Sequence, residues 1–355
     1  MAHNNTNKRA KSNRDFARSA LKIIYSVLPI ILFPKELLKS LLEARGSYLS
    51  RLGNEGRRAL RDLDRIDVED VRTALKKLGK KILRETRDRR VAIDFHSIPQ
   101  YHKSKSLLSK IKPTKGTSWG LVQAALFLLG RKNVFLDVIP ITVKKIAEDF
   151  RAAMEVLTEE LDRLDLRLVM VFADRESAVN EVIKYLLDLG VEFVIAKSKM
   201  YEKYLGQLEE VDVRYAGVRY TGFLLVRHVS GAYLVLLRKD GDDDVVGFLV
   251  WREVDVHGAV VFAEMYRERW GVENAFGSLE EFRVRSRTCD VRKELVLVLI
   301  SYLLLNVWFL VRSWRRVRLW EFAESIVGYL VPKEIEEASA TASPQAEELS
   351  FVNFS

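Results

Sequence analysis

The stretch Leu168-Val169-Met170-Val171-Phe172 is apolar at every position and ends at Ala173-Asp174. A strand with one face in water alternates apolar and polar residues. A strand apolar throughout is covered on both faces, as in a mostly parallel sheet flanked by helices. The flanking sequence supplies those helices. Ile146 to Leu164 has an amphipathic helical pattern, Ala178 to Leu189 reads as a helix closed by Gly190, and Val191 to Ala196 reads as the next strand. Upstream, Val91-Ala92-Ile93-Asp94-Phe95 is a short apolar strand, followed by a loop with Pro99 and a polar stretch through Lys115 and Gly116. Val134 to Ile139 is another strand, stopped by Pro140. This alternation predicts an α/β core that starts near Arg90.

Before that point the period is helical. Leu37, Leu38, Leu41 and Leu42 recur at three-and-four spacing, and Asp67, Glu69 and Asp70 open a helix that runs through Leu75 and Leu78. Residues 1–14 have no apolar pattern, which predicts a mobile basic lead-in. The net charge of +9 is concentrated here: residues 1–90 hold 23 Lys and Arg against 11 Asp and Glu, while the stretch from Lys333 onward is net acidic. Residues 1–89 are therefore expected to be an all-helical basic domain. A segment of that charge attracts polyanions by neutralising phosphates and releasing counterions, so nucleic acid is the first partner to consider.

Beyond the core, Val211–Tyr215, Arg219–Val226, Ala232–Arg238 and Val245–Trp251 are strand candidates separated by Gly217, Ser230-Gly231 and Gly241. They predict an antiparallel β insertion at about 205–256. Val260–Leu279 and Leu295–Trp314 read as helices, and residues 333–355 as an acidic, disordered tail. The apolar stretches Ala20–Phe33 and Leu295–Val311 are short for a bilayer crossing and are broken by Lys22 and Pro29, and by Ser301 and Asn306. Both are expected to be core helices, with no membrane partner. The one cysteine, Cys289, cannot form an intrachain disulfide, and the first eighteen residues are polar and basic rather than signal-like. Together these suit a reducing, cytoplasmic setting.

The sequence has no GxxxxGK[ST], no GxGxxG after a strand, no HExxH and no cysteine pair, which removes support from nucleotide-loop and zinc chemistry. What stands out is a set of carboxylates. Asp94 and Asp174 each follow an apolar run, where a desolvated carboxylate needs a partner or a cation. In Tyr266-Arg267-Glu268-Arg269-Trp270-Gly271-Val272-Glu273, helical spacing places Tyr266, Arg269 and Glu273 on one face. An ordinary Arg269–Glu273 surface pair is the plain alternative, but it leaves Tyr266 and Trp270 unexplained. His96 is read as a supporting or surface residue and Trp251 as packing within the insertion.

With those residues in view, the sequence resembles the DDE transposases of bacterial and archaeal insertion sequences, in the subgroup named for a Tyr-x2-Arg-x3-Glu-x6-Lys signature. The resemblance covers about Arg90 to Trp314. It is carried by Val91-Ala92-Ile93-Asp94-Phe95-His96, by Asp174-Arg175 through Val182-Ile183, and by Tyr266, Arg269, Trp270, Glu273 and Phe282-Arg283. Gly116-Thr117-Ser118-Trp119 and Asn306-Val307-Trp308 also look like family surroundings. Three positions depart from the pattern: Glu280 stands where the signature has Lys, Glu176 where relatives have Gly, and Ser97 where many have Asp.

The resemblance implies an RNase H-like catalytic domain over 90–320 carrying the β-rich insertion. It implies Asp94, Asp174 and Glu273 as ligands of Mg2+ or Mn2+, with Tyr266 and Arg269 on phosphates of the element end. Hard carboxylate oxygens suit those ions, and two such ions can activate a nucleophile and stabilise a leaving oxygen. Arg283, Arg285 and Arg287 alternate after the helix as further phosphate contacts. The implied reaction cuts phosphodiester bonds at the ends of a mobile element and joins them to target DNA, in a nucleoid-associated homodimer. A relative that binds DNA without cutting it, and a metal-dependent nuclease of the same fold, are the alternatives.

Overall fold

The computed structural model describes residues 2–330 except 30, 88, 102–106, 115, 131–132, 198–201, 242–244, 289 and 313–316, with side chains described from Asp15 onward. The acidic tail lies outside the described residues. Residues 2–85 fold as α1 (Ala2–Val27), α2 (Lys35–Glu43), α3 (Gly53–Asp62) and α4 (Val68–Glu85). The expected irregular lead-in is instead the backbone of the first turns of α1. Asp67 begins α4 as anticipated: its carboxylate and that of Asp70 form a reciprocal capping box, which satisfies backbone donors that a helix start otherwise leaves unpaired.

The described strands form one ten-stranded sheet. In chain order they are β1 (Arg90–Pro99), β2 (Ser109–Thr114), β3 (Thr117–Leu129), β4 (Val134–Ile141), β5 (Met170–Ala173), β6 (Phe193–Ala196), β7 (Glu209–Tyr215), β8 (Val218–Arg227), β9 (Tyr233–Lys239) and β10 (Val245–Val250). The sheet runs β2-β3-β1-β5-β6-β10-β9-β8-β7, with β4 also paired to β3. β1 pairs antiparallel with β3 over ten residues and parallel with β5, and β5 is parallel to β6. Between these strands lie α5 (Ile146–Arg163) and α6 (Asn180–Asp188). The loop and polar stretch expected after Phe95 are thus largely strand: β1 continues to Pro99, and β2 and β3 follow.

The insertion is antiparallel, as its alternating pattern suggests, but it is not a separate sheet. β10 pairs antiparallel with β6, so the insertion extends the central sheet. The chain then returns through α7 (Val256–Arg267), α8 (Trp270–Phe282), α9 (Val291–Arg312) and α10 (Leu319–Leu330).

α9 is long and apolar enough to cross a membrane, yet most of it is buried inside this fold. It packs on α1, α4, α8 and β4, and Asn306 inside it bonds both the N–H and the C=O of Phe135. An asparagine so satisfied belongs to a protein core helix. α4 lies on β4 as well. A Cβ on Gly79 would stand 3.0 Å from the Leu136 Cα, so the helix seats there only because that position has no side chain. Arg72 clamps the contact with a bidentate pair to Asp137, which is 1% exposed. A single apolar cluster runs from Phe16 in α1 to Ile326 in α10.

Candidate active site

Asp94 sits inside β1, not at its end, because the strand continues five residues further. Its neighbour across the sheet is set by register. Ile93 pairs with Ala173 in parallel β5, so the next residue on each strand, Asp94 and Asp174, come side by side. Asp174 ends β5 and turns the chain: its Oδ1 accepts from the N–H of Glu176 at 3.1 Å and from the N–H and Oγ of Ser177 at 3.3 Å. Two residues 80 positions apart are thereby fixed by one strand pair and one cap.

Tyr266, Arg269 and Glu273 do converge, though not along one continuous helix. α7 ends at Arg267 and α8 begins at Trp270. Around the junction the amides of Glu268, Arg269, Gly271 and Val272 each bond the carbonyl three residues back, the tighter pattern found at helix ends. This turn drives the Arg269 guanidinium inward. Nη1 donates to Asp94 Oδ2 at 2.8 Å and Nη2 to Glu273 Oε1. Its Cζ lies 5.3 Å from the centre of the Tyr266 ring, and the Tyr266 hydroxyl donates to the carbonyl of Ala173 at 3.3 Å. α8 is held over β1 by His96 and Phe276, whose rings stack 4.3 Å apart.

The electrostatics follow from burial. Asp94 is 9% exposed and Arg269 7%. Desolvation pushes the Asp94 carboxyl up to about 6; Arg269 opposes the shift, and Asp174 and Glu273 add to it. Burial and then Glu176 also raise Asp174. Burial lifts the Tyr266 phenol to about 12, so it keeps its proton at neutral pH. The carboxylates line an open cleft of about 580 Å³, walled on the insertion side by Val245, Val246 and Gly247.

As they stand, no three acidic, histidine or cysteine side chains among the described residues are grouped to hold one metal ion. The three carboxylates supply hard oxygens, with the Arg269 guanidinium lying between Asp94 and Glu273. That donor chemistry fits a divalent cation of the Mg2+ or Mn2+ type.

The arginines after α8 fare unequally. Arg283 is buried and its Nη2 donates to Glu280 Oε2 at 2.7 Å; Arg285 reaches the same oxygen at 3.4 Å. Arg285 also pairs its backbone with Ser47 and Leu49. Arg287 is exposed and stacks its guanidinium 5.3 Å from the Tyr48 ring. Of the three, Arg287 is the most exposed.

Glu280, where the signature has Lys, is therefore the internal counterion of Arg283 and Arg285. Burial raises its carboxyl, but the bond and charge of Arg283 outweigh that and hold it low. Glu280→Lys is expected to cost ~1–3 kcal/mol, between the exposed-pair and buried-pair ranges because the Glu280 side chain is 39% exposed. Thermal denaturation checks this, and a variant as stable as the parent would remove the counterion role.

His96 is a packing residue: burial lowers its pKa to about 4, and its Nδ1 lies 3.0 Å from the Tyr302 hydroxyl, which donates to Gln123 Oε1. Trp251 packs on Phe262. Two cleft residues that sequence reasoning did not single out are Arg175 and Lys197. Their signal was position, since each lies just past the carboxyl end of an inner parallel strand.

The family model for the transposase DDE domain matches residues 85–304. The chain belongs to the DDE transposases. The matched segment of this DDE transposase carries Asp94, Asp174, Tyr266, Arg269 and Glu273 together. No curated protein matches the sequence. Among solved structures the chain is similar to a piggyBac transposase synaptic complex with hairpin DNA, at 12% identity and a TM-score of 0.49. The alignment covers 78% of this chain, which spans 60% of the length of the other.

Proposed function

We propose that this DDE transposase cleaves phosphodiester bonds at the ends of a mobile element and joins them to target DNA, with Asp94, Asp174 and Glu273 as ligands of divalent cations. The observation that carries the reading is the meeting of those three carboxylates, from β1, the end of β5 and α8, in one open cleft. The strand order β4-β3-β1-β5-β6, antiparallel for the first three and parallel for the last, supports an RNase H-like core.

Mg2+ or Mn2+ bound there would activate the attacking water or 3′-hydroxyl and stabilise the leaving oxygen. The chain's own residues do the rest. Asp94, on an inner strand flanked by β3 and β5, is the most buried of the three carboxylates. Asp174 keeps a fixed orientation through its cap, which leaves its second oxygen toward the cleft. Arg269 holds Asp94 and Glu273 in place, and with Tyr266 forms the wall that receives phosphates of the element end. Val245 to Gly247 close the cleft from the insertion side. Arg287 and the basic helices α1–α4 extend the DNA surface, and two ends held together require two copies, in keeping with a nucleoid-associated homodimer.

Asp174→Asn keeps the cap geometry but removes charge. Metal-dependent cleavage of DNA carrying the element's terminal repeats should fall ~100-fold or more, with DNA binding within a few-fold of the parent. Cleavage near the parental rate would overturn the assignment. Loss of binding in step with cleavage would point instead to a DNA-binding role for the carboxylate site.

A further inference from the structure

The cleft holds three cationic side chains, and among the described residues two of them have no carboxylate paired to them. Arg269 is bound to Asp94 and Glu273. Arg175 and Lys197 line the same cleft from adjacent strand ends, each two residues beyond Ala173 and Ile195, which pair in register across β5 and β6. The Lys197 backbone is pinned by its N–H to the carbonyl of Gly247 at 2.9 Å. Among the described residues its ammonium donates to the carbonyl of Ala178, at 3.4 Å. Burial lowers its pKa, with no acidic residue among the causes. Arg175 is exposed to the cleft, while its neighbour Glu176 is committed to Lys144.

A half-buried ammonium with no counterion among the described residues carries a desolvation cost that a bound anion would relieve. Asp174 gives Oδ1 to three donors of its own turn, and in the cation-binding reading its second oxygen is reserved for the metal. The missing partner is an anion that enters from solvent. Its size and chemistry are bounded by what lines the cleft: the cations Arg175 and Lys197, a carboxylate cluster that suits hard cations, and the apolar side chains of Val245, Val246 and Phe276. A phosphodiester meets all three, with its oxygens on the cations and its sugar on the apolar strip.

We infer that Lys197, with Arg175, forms a second phosphate-binding subsite at the ends of β5 and β6, which seats a DNA backbone phosphate next to the one at the carboxylates. This rests on the reading of the cleft as a phosphodiester-cleaving site. Lys197 binds the substrate chain and needs no part in metal binding, so the two roles separate experimentally.

The test measures binding of an oligothymidylate of ~8 nucleotides, within the length that one groove accommodates, to the full chain with Mg2+ at several salt concentrations. Lys197→Met keeps the apolar stem and removes the charge. It should weaken binding about tenfold and make the log-log salt slope shallower by ~0.7, the value of one single-strand phosphate contact. Lys197→Arg should restore both, and Lys197→Met with Arg175→Ala should remove about two such contacts. Mn2+ affinity measured without DNA should stay within about twofold of the parent in every variant.

An unchanged slope in Lys197→Met, or a loss that Lys197→Arg does not repair, would overturn the subsite. Failure of the broader reading looks different: the parent itself would show no metal-dependent cleavage lost in Asp174→Asn, whatever the slopes.

Discussion

Asp94→Asn is expected to reduce metal-dependent cleavage by ~10³-fold or more and, at the same time, to make the metal-free protein more stable. The two effects share one cause. Asp94 is 9% exposed, and burial raises its carboxyl to about 6 despite the bond from Arg269. In the unfolded chain the carboxyl returns to its ordinary value near 3.8. The folded state therefore holds the proton more tightly, and the metal-free protein loses stability as pH rises between those two values. At neutral pH the full penalty is present, up to ~3 kcal/mol for a shift of this size.

Asparagine removes that penalty while still offering an oxygen to Arg269. At pH 7 with a chelator, the variant should melt several degrees above the parent, at ~2–4 °C per kcal/mol. The gap should narrow as pH falls below about 6 and close near 4. With Mg2+ present the order should reverse, because ligand binding to the native state stabilises only the protein that binds it. Scanning calorimetry under both conditions decides the matter. A parent that gains nothing from Mg2+, or a variant less stable than the parent with chelator, would argue against Asp94 as a cation ligand.

The second large effect concerns residues 1–89. Their charge alone suggests a detachable DNA-binding arm, whose removal would weaken DNA binding and flatten its salt dependence. The packing predicts something harsher. α4 buries Val71, Leu75, Leu78, Ile82 and Leu83, each worth ~1.5–3 kcal/mol, in a cluster shared with α9 and β4.

Cutting α4 away also takes Arg72 and Lys76 from Asp137 and opens the face of β4 that the helix covers to water. Losses on this scale match the whole stability of an ordinary domain. Chains lacking 1–89 should be insoluble or show no cooperative melting transition. A truncated protein that melts cooperatively near the parental midpoint would establish the segment as an independent unit. The charge contribution is better tested by neutralising exposed arginines such as Arg58 and Arg61 in the full chain.

Features that depend on near neighbours were legible in the pattern of the chain. The apolar runs around 93, 171 and 194 had to be inner strands, since a helix of that length could not bury a fully apolar surface and still alternate with its amphipathic neighbours. The insertion strands were legible because glycine turns separate alternating stretches. The spacing of Tyr266, Arg269 and Glu273 within eight residues was enough to group them, and the α7–α8 break did not undo it, because the tighter turn still brings all three to the same cleft.

What the tertiary structure decided depends on distant partners. Gly120 to Leu129 is too uniformly apolar for its period to separate strand from helix, and ten residues of pairing with β1 make it β3. Arg283 looked like its exposed neighbours in an alternating row, yet Glu280 and the Tyr48 loop draw it and Arg285 inward. Arg72 and Asp137, 65 positions apart, carry no local signature of each other.

The same holds for the cleft. The ends of β5 and β6 bring Arg175 beside Lys197, and β10 supplies the wall, only because the insertion joins the central sheet. Periodicity records which face of a segment is buried. It does not record which other segment buries it, and that choice is settled by packing and register over the whole chain.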